Sequence, residues 1–292
     1  MKAVSVVITA CKEEKTLGKT IGVLEKQLPK NSELIVVAPD EPTLKVAKEF
    51  VKQGKRIKIF KDPGKGKPTA LNLIFKKVKG KILVLTDGDV FPQKKSIKLL
   101  LDRFKDPEVG AVSAKVVYLI PKNSLFYEWG KLSEKIYDKV RKTQDKMNKL
   151  WHPTGYLYAI KNGIVKQIPS NTLADDALIG CIIKSKGYLI KYEPRARVFV
   201  KFPRTIKDFI IQKSRTRAGL LQLKKLFKFR NRTIANEISI GAKWMFRIYG
   251  FRKIHKMIVV ALIYLIAWLR AYWLFLTKKS FEKIWVRVKS TK

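Results

Sequence analysis

Four short apolar runs punctuate the first third of the chain: AVSVVIT (3–9), ELIVVA (33–38), RIKIF (56–60) and KILVLT (81–86). They are mostly continuous rather than alternating in hydrophobicity, and the intervals between them are long enough for helices. Strands of that kind, joined by helical crossovers, predict an α/β fold of Rossmann-like type with a mainly parallel central sheet flanked by helices. In open sheets of this class, ligands bind beyond the carboxyl ends of the strands. The unusual residues of the sequence fall there: ACKEE after the first strand, APDEP after the second, KDPGKGKP after the third and DGD after the fourth.

The pattern changes further along. Residues 124–150 read as a helix dense in Lys, Glu and aromatics, and WHPTGYLYAI (151–160) returns to strand character. TLADDALIGCIIKSKG (172–187) has helical spacing behind two acids, with Gly187 as a stop. Over residues 205–232, Ile, Leu and Phe recur with a 3.6-residue period against a face of Lys and Arg, a basic amphipathic helix suited to a membrane interface. Residues 257–276 are apolar apart from Arg270 and carry Trp and Tyr toward their later end. At about 1.5 Å per residue they reach about 30 Å, enough for one span; a re-entrant or interfacial helix and a buried soluble helix compete with that reading. Basic residues flank both ends, so charge gives no orientation. The expected organisation is an α/β domain over 1–204, basic amphipathic helices over 205–253 and a membrane-associated or single transmembrane helix with a basic tail over 254–292.

Composition narrows the chemistry. The 292 residues are 46% hydrophobic and include 63 Lys and Arg against 23 Asp and Glu, a formal net charge of +40. Such a chain attracts polyanions: nucleic acid, anionic membrane or phosphorylated small molecules. Cys11 and Cys181 lack metal-ligand spacing, so a reducing compartment is expected. With His152 and His255 as the whole histidine complement, a metal would be held by oxygen, which suits Mg²⁺ or Mn²⁺.

Acids are scarce enough that their clusters carry information. Asp87 and Asp89 flank Gly88 at a strand end, where two carboxylates form half of a divalent-cation shell; a surface turn is the alternative. Lys65, Gly66 and Lys67 could present backbone N–H groups and an ammonium to phosphate near a helix start, with Asn72 opening the next helix region; a solvated basic loop is the alternative. Asp175 and Asp176 begin a helix, where capping explains one of them. Adjacent carboxylates raise one another's pKa, which suits Asp176 to accept a proton from a hydroxyl nucleophile. Gln212 and Arg215 in QKSRTRAG could be a polar helix face or a grip on a leaving diphosphate.

Taken in order, ACKEE, the acid after strand two, GKGKPTALN, DGD, ADDALIG and QKSRTRAG resemble the family two glycosyltransferases, inverting enzymes of the GT-A fold; the likeness covers residues 4–219. The resemblance implies a D-x-D motif at Asp87 and Asp89 holding Mn²⁺ or Mg²⁺ and the donor diphosphate. The family's P-x-x-N-E-E opening is matched by Thr9-Ala10-Cys11-Lys12-Glu13-Glu14, with Lys12 in place of Asn. The implied nucleotide-sugar contacts are Ala10, Glu13, Asp40, Lys67, Asp87, Gln212 and Arg215; the implied catalytic pair is Asp175 and Asp176, the second as general base. Thr216 stands where the processive Q-x-x-R-W element has Trp, so a single transfer is expected.

The expected reaction moves a sugar from a nucleoside-diphosphate sugar, UDP ahead of GDP, to a hydroxyl of a lipid-linked or glycan acceptor. A polyprenyl phosphate needs no base, so it ranks second. The enzyme is expected at an anionic membrane surface with its catalytic domain cytoplasmic. A non-catalytic membrane scaffold and a nucleic-acid-binding protein are the readings from other classes. No nucleic acid is expected as a partner, because no zinc knuckle, RNP-type strand or helix-turn-helix pattern accompanies the charge.

Overall fold

A computed structural model describes residues 3–227, 254–277, 284, 286 and 288–291. The chain divides into two compact units: residues up to Val117 with Arg141–Val200, and Tyr118–Val140 with Lys201–Thr291.

The first unit is built on β1 (Val4–Thr9), β2 (Ser32–Ala38), β3 (Ile57–Lys61) and β4 (Ile82–Asp87), interleaved with α1 (Glu14–Glu25), α2 (Glu41–Lys52) and α3 (Lys67–Lys77). These four strands are parallel in the order β3-β2-β1-β4, with Thr9 opposite Val37 on one side and Asp87 on the other. Every residue of β1 is buried, as expected of a strand covered on both faces. Their carboxyl ends therefore share one edge, and the residues after each strand gather there.

The rest of the eight-stranded sheet differs from the sequence expectation. Beyond β4 the order continues β7 (Leu157–Lys161), β6 (Val109–Leu119), β8 (Leu189–Lys201) and β5 (Val90–Pro92). β7 is antiparallel to both β4 and β6, and β5 to β8. β6 and β8 were not anticipated. In β8 the run LIKYEPRARVFVK alternates buried and exposed positions and contains Pro194, which hides it among loop-like signals. α4 (Ser96–Asp102) follows β5, and α6 (Asp175–Ser185) precedes β8.

Within the second unit, the early part of α5 (Tyr127–Lys146), α7 (Ile206–Phe227) and α8 (Ile254–Leu276) enclose an aromatic cluster of Phe126, Phe202, Phe209, Val260 and Ile263. Phe126 stacks on Phe209 with ring centroids 4.6 Å apart. The helix expected over 124–150 is thus α5, shorter at both ends. The amphipathic helix expected over 205–232 is described to Phe227; residues 228–253, which hold the rest of the amphipathic region expected over 205–253, lie outside the described residues, as does most of the basic tail. The apolar side of α7 faces α8 rather than solvent: Phe209, Ala218, Leu221 and Leu223 are buried. Arg270, the one charge in the apolar run, donates from Nη1 to Ser214 Oγ on α7 at 2.6 Å.

Candidate active site

β4 ends on Asp87, and the chain turns through Gly88 and Asp89 into β5. Gly88 is required by close approach: a β-carbon there would collide with Glu13 Oε2 and lie 2.8 Å from Ala10 Cβ. The turn is fixed from beneath by Thr20 of α1, whose hydroxyl lies 3.0 Å from both the Gly88 and Val90 carbonyls, and by the Gly88 N–H bonded to Thr9 O at 3.1 Å. Ala10 and Glu13 accordingly form the floor below the two aspartates. Asp40 serves as N-cap of α2, accepting from Thr43 N at 3.1 Å, and its other oxygen accepts from Lys12 N at 2.7 Å, where the backbone is left-handed with φ 53°. Burial pushes the Asp40 carboxyl up, but the Thr43 and Lys12 hydrogen bonds outweigh it and leave the pKa below its usual value.

Lys67 unites the scattered motifs. It opens α3 behind Gly66, whose φ of 94° turns the chain into the helix. Its Nζ donates to Asp87 Oδ1 at 2.6 Å and to Gly155 O at 3.4 Å, and lies 3.6 Å from Asp175 Oδ2. Burial alone would lower the ammonium's pKa; Asp175 and Asp87 reverse that and hold it well above the ordinary lysine value. The DGD turn and the Asp175-Asp176 pair, 88 positions apart in sequence, thus share one cation. Asn72 does not open this helix: it lies in its middle and clamps the distant loop, donating to Ile168 O at 2.8 Å and accepting from Ile168 N at 2.9 Å.

The acid pair behaves differently from the capping expectation. The N-cap of α6 is Ala174, with no side-chain cap bond, so Asp175 and Asp176 occupy the first turn, where the helix dipole favours anions. Both carboxyls are pushed above the usual range, first by burial; Lys67 opposes the shift in both, and Asp176 reinforces it in Asp175. Asp175 Oδ2 is buried without a hydrogen bond and rests on its ion pair with Lys67.

The structure adds residues that sequence reasoning missed. Tyr158 on β7 is fully buried, and its hydroxyl has no hydrogen-bond partner among the described residues. Burial raises its pKa well above the ordinary value, and Asp175 raises it further; Lys67, Asp176 and Asp87 also act on it. It is the residue of LYAIK that carries a polar tip into an otherwise apolar strand centre, which was the available signal. Gly155 leaves room for Asp176, whose Oδ2 would lie 3.3 Å from a β-carbon there. Arg141 of α5 donates to His152 O at 3.0 Å and favours the ionised form of Asp176. Gln212 and Arg215 lie on α7 in the second unit; Arg215 Nη1 donates to Val286 O at 3.4 Å, and the Gln212 carbonyl accepts from Thr216 Oγ1 at 3.0 Å.

The bonds from Thr9 and Lys67 to Asp87 both fall on Oδ1. Among the described residues, no cluster of three or more His, Cys, Asp or Glu could hold a metal alone. Asp87 and Asp89 are hard oxygen donors of the kind divalent ions take, and two carboxylates do not complete such an ion's shell.

A family model described as "Glycosyltransferase like family 2" matches residues 2–219. The chain belongs to that family. Its relatives include "Probable glycosyltransferase YdaM" of Bacillus subtilis (strain 168), 26% identical over 304 residues, 94% of this chain and 72% of that protein. Among solved structures, the mannosyltransferase PcManGT from Pyrobaculum calidifontis, in complex with GDP-Man and Mn²⁺, aligns with a TM-score of 0.68 at 17% identity over 95% of this chain and 88% of that one. Glucosyl-3-phosphoglycerate synthase from Mycobacterium tuberculosis, in complex with Mn²⁺, UDP and phosphoglyceric acid, aligns at 0.53 and 16% identity over 79% and 80%. The protein is a glycosyltransferase with the GT-A fold, a parallel β3-β2-β1-β4 core extended by antiparallel strands.

Proposed function

We propose that this glycosyltransferase is inverting and metal-dependent, and moves a sugar from a nucleoside-diphosphate sugar to a hydroxyl of a lipid-linked or glycan acceptor at the cytoplasmic face of a membrane. The observation that carries the reading is Lys67, which ties Asp87 of the DGD turn to Asp175 of the acid pair at the carboxyl edge of the parallel strands. A turn that offers carboxylates to a cation and the acid pair that includes the candidate base Asp176 thus share Lys67.

In the proposed step the acceptor oxygen bonds to the anomeric carbon while the carbon–oxygen bond to the diphosphate breaks from the opposite face. Asp176 takes the hydroxyl proton, and the nucleoside diphosphate leaves with the bonding electrons. Its raised pKa brings Asp176 closer to neutrality, where a carboxylate is a more effective base. Asp175 pairs with Lys67 and keeps that ammonium beside the diphosphate site. Ala10, Glu13 and Asp40 form the nucleoside end. Mn²⁺ or Mg²⁺ at Asp87 and Asp89 would neutralise charge on the departing diphosphate.

The sequence reading ranks UDP ahead of GDP, and the solved relatives named above carry one nucleotide each, so both belong in the test. The full chain is incubated with UDP- and GDP-sugars and a membrane extract, and the anomeric configuration of the product is read by NMR. Inverted product, absent with Asp176→Asn, is the expected result; retained configuration overturns the single-displacement reading.

A further inference from the structure

We infer that α8 lies in the plane of an anionic bilayer, its solvent-facing side immersed and its other side roofed by α7, rather than crossing the membrane. This rests on the membrane setting proposed above and commits it to one geometry.

Among the described residues, nine large apolar side chains of α8 are exposed, including Ile258, Leu262, Ile266, Leu269, Trp273 and Leu276. At 100° per residue all nine fall within an arc of about 140° and extend over about 27 Å. Leu262, Leu269 and Leu276 are 58%, 61% and 74% exposed, unlike scattered surface leucines, because they form one continuous stripe. No charged residue interrupts it. The opposite arc holds Met257, Val260, Ile263, Ala267, Trp268, Ala271 and Leu274, all buried.

α7 decides between immersion and crossing. It lies along the middle of α8: Phe209 meets Tyr264, Ser214 holds Arg270, and the Arg217 guanidinium stacks 3.3 Å from the Trp268 ring centroid. α7 also carries Asp208, Lys213 and Arg215 over the same stretch. A crossing α8 would draw these charges to membrane depth or lose their contacts, and either is costly. An in-plane α8 immerses only its apolar arc, to about 5–10 Å, and leaves the charges of α7 above the lipid. The occupant is an anionic bilayer because the chain carries +40 and exposes Lys256 at the start of α8 and Lys224 and Lys225 in the last turn of α7. A second, equally basic copy would meet like charge.

The test places single nitroxide labels at Leu262→Cys, Leu269→Cys and Leu276→Cys in the 292-residue chain carrying Cys11→Ser and Cys181→Ala. Immersion depth is read from oxygen and nickel-chelate accessibility on vesicles of phosphatidylcholine with phosphatidylglycerol. Three equal, shallow depths are expected. Positions 262 and 276 are about 21 Å apart along the helix, so depths graded through the hydrocarbon overturn the in-plane geometry while leaving membrane attachment intact. In sedimentation, Leu262→Glu with Leu269→Glu should lower vesicle partitioning at least tenfold with an unchanged melting midpoint. No partitioning of the unmutated protein onto anionic vesicles overturns the membrane setting itself, and a dimer dissociated by the same substitutions assigns the face to a second copy.

Discussion

Lys67 Nζ sits 2.6 Å from Asp87 Oδ1, so the ammonium that opens α3 is locked to the carboxylate that closes β4. In a chain with 63 basic and 23 acidic residues, this cation is largely buried among acids. Lys67→Met removes it and leaves Asp87 and Asp175 without their shared counter-charge. The expected result is a stability loss of about 3 kcal/mol in denaturant unfolding, since breaking a mostly buried pair strands a charge. Nucleoside-diphosphate affinity should fall at least tenfold; unchanged affinity would separate Lys67 from the donor site.

Asp176→Asn tests the base. It should lower kcat by about 10²–10⁴, the usual scale of general-base removal, with nucleotide affinity within threefold of the parent. The folded Asp176 carboxyl titrates above its ordinary value, so activity rises with pH through that raised pKa and falls as the carboxylate is protonated. The acidic limb of the kcat profile should therefore lie above the usual aspartate range. A profile flat down to pH 4 contradicts the assignment.

Gly88→Ala tests the floor of the turn. The added methyl meets Glu13 and Ala10, and overpacking of that kind costs about 1–3 kcal/mol. Thermal unfolding and metal-dependent nucleotide binding should fall together, because the same shift moves Asp87 and Asp89. Full binding in a destabilised variant would show that the turn tolerates displacement.

His152 gives a pH dependence of opposite origin. Burial and the Arg141 guanidinium lower its pKa to about 4, while its Nδ1–H donates to Pro153 O at 2.7 Å. Below about pH 6.5 the unfolded chain takes up a proton that the folded chain refuses. Its contribution to stability is complete above that value and declines toward pH 4, by about 2 kcal/mol at pH 4.5. Urea unfolding of the parent and of His152→Gln should diverge across this window; parallel curves would place the acid sensitivity elsewhere.

The parallel half of the fold was legible because β1, β2 and β4 are almost wholly buried and must be apolar along their length. β6 and β8 were not: long strands with one-sided or interrupted burial carry Lys115, Pro194, Arg195 and Arg197 and read as loop. Asp87, Asp89, Asp175 and Asp176 stood out because acids are scarce and fall at element ends. Their joining by Lys67 was hidden, since spacing along the chain does not encode distance across a sheet edge. Tyr158 and Arg141 were missed for the same reason, each lying within an element whose pattern is explained by packing. Arg270 stands out in the sequence as the one charge of an apolar run, but its partner Ser214, 56 positions away on another helix, does not.

The most direct test of the central claim is calorimetric titration of UDP and GDP into the full chain, with and without Mn²⁺, repeated for Asp89→Asn. Binding of one nucleotide that requires Mn²⁺ and is lost in Asp89→Asn is the predicted result. Binding equal in the presence and absence of the metal and unaffected by the substitution would contradict the account, because the DGD turn would then play no part in holding the diphosphate.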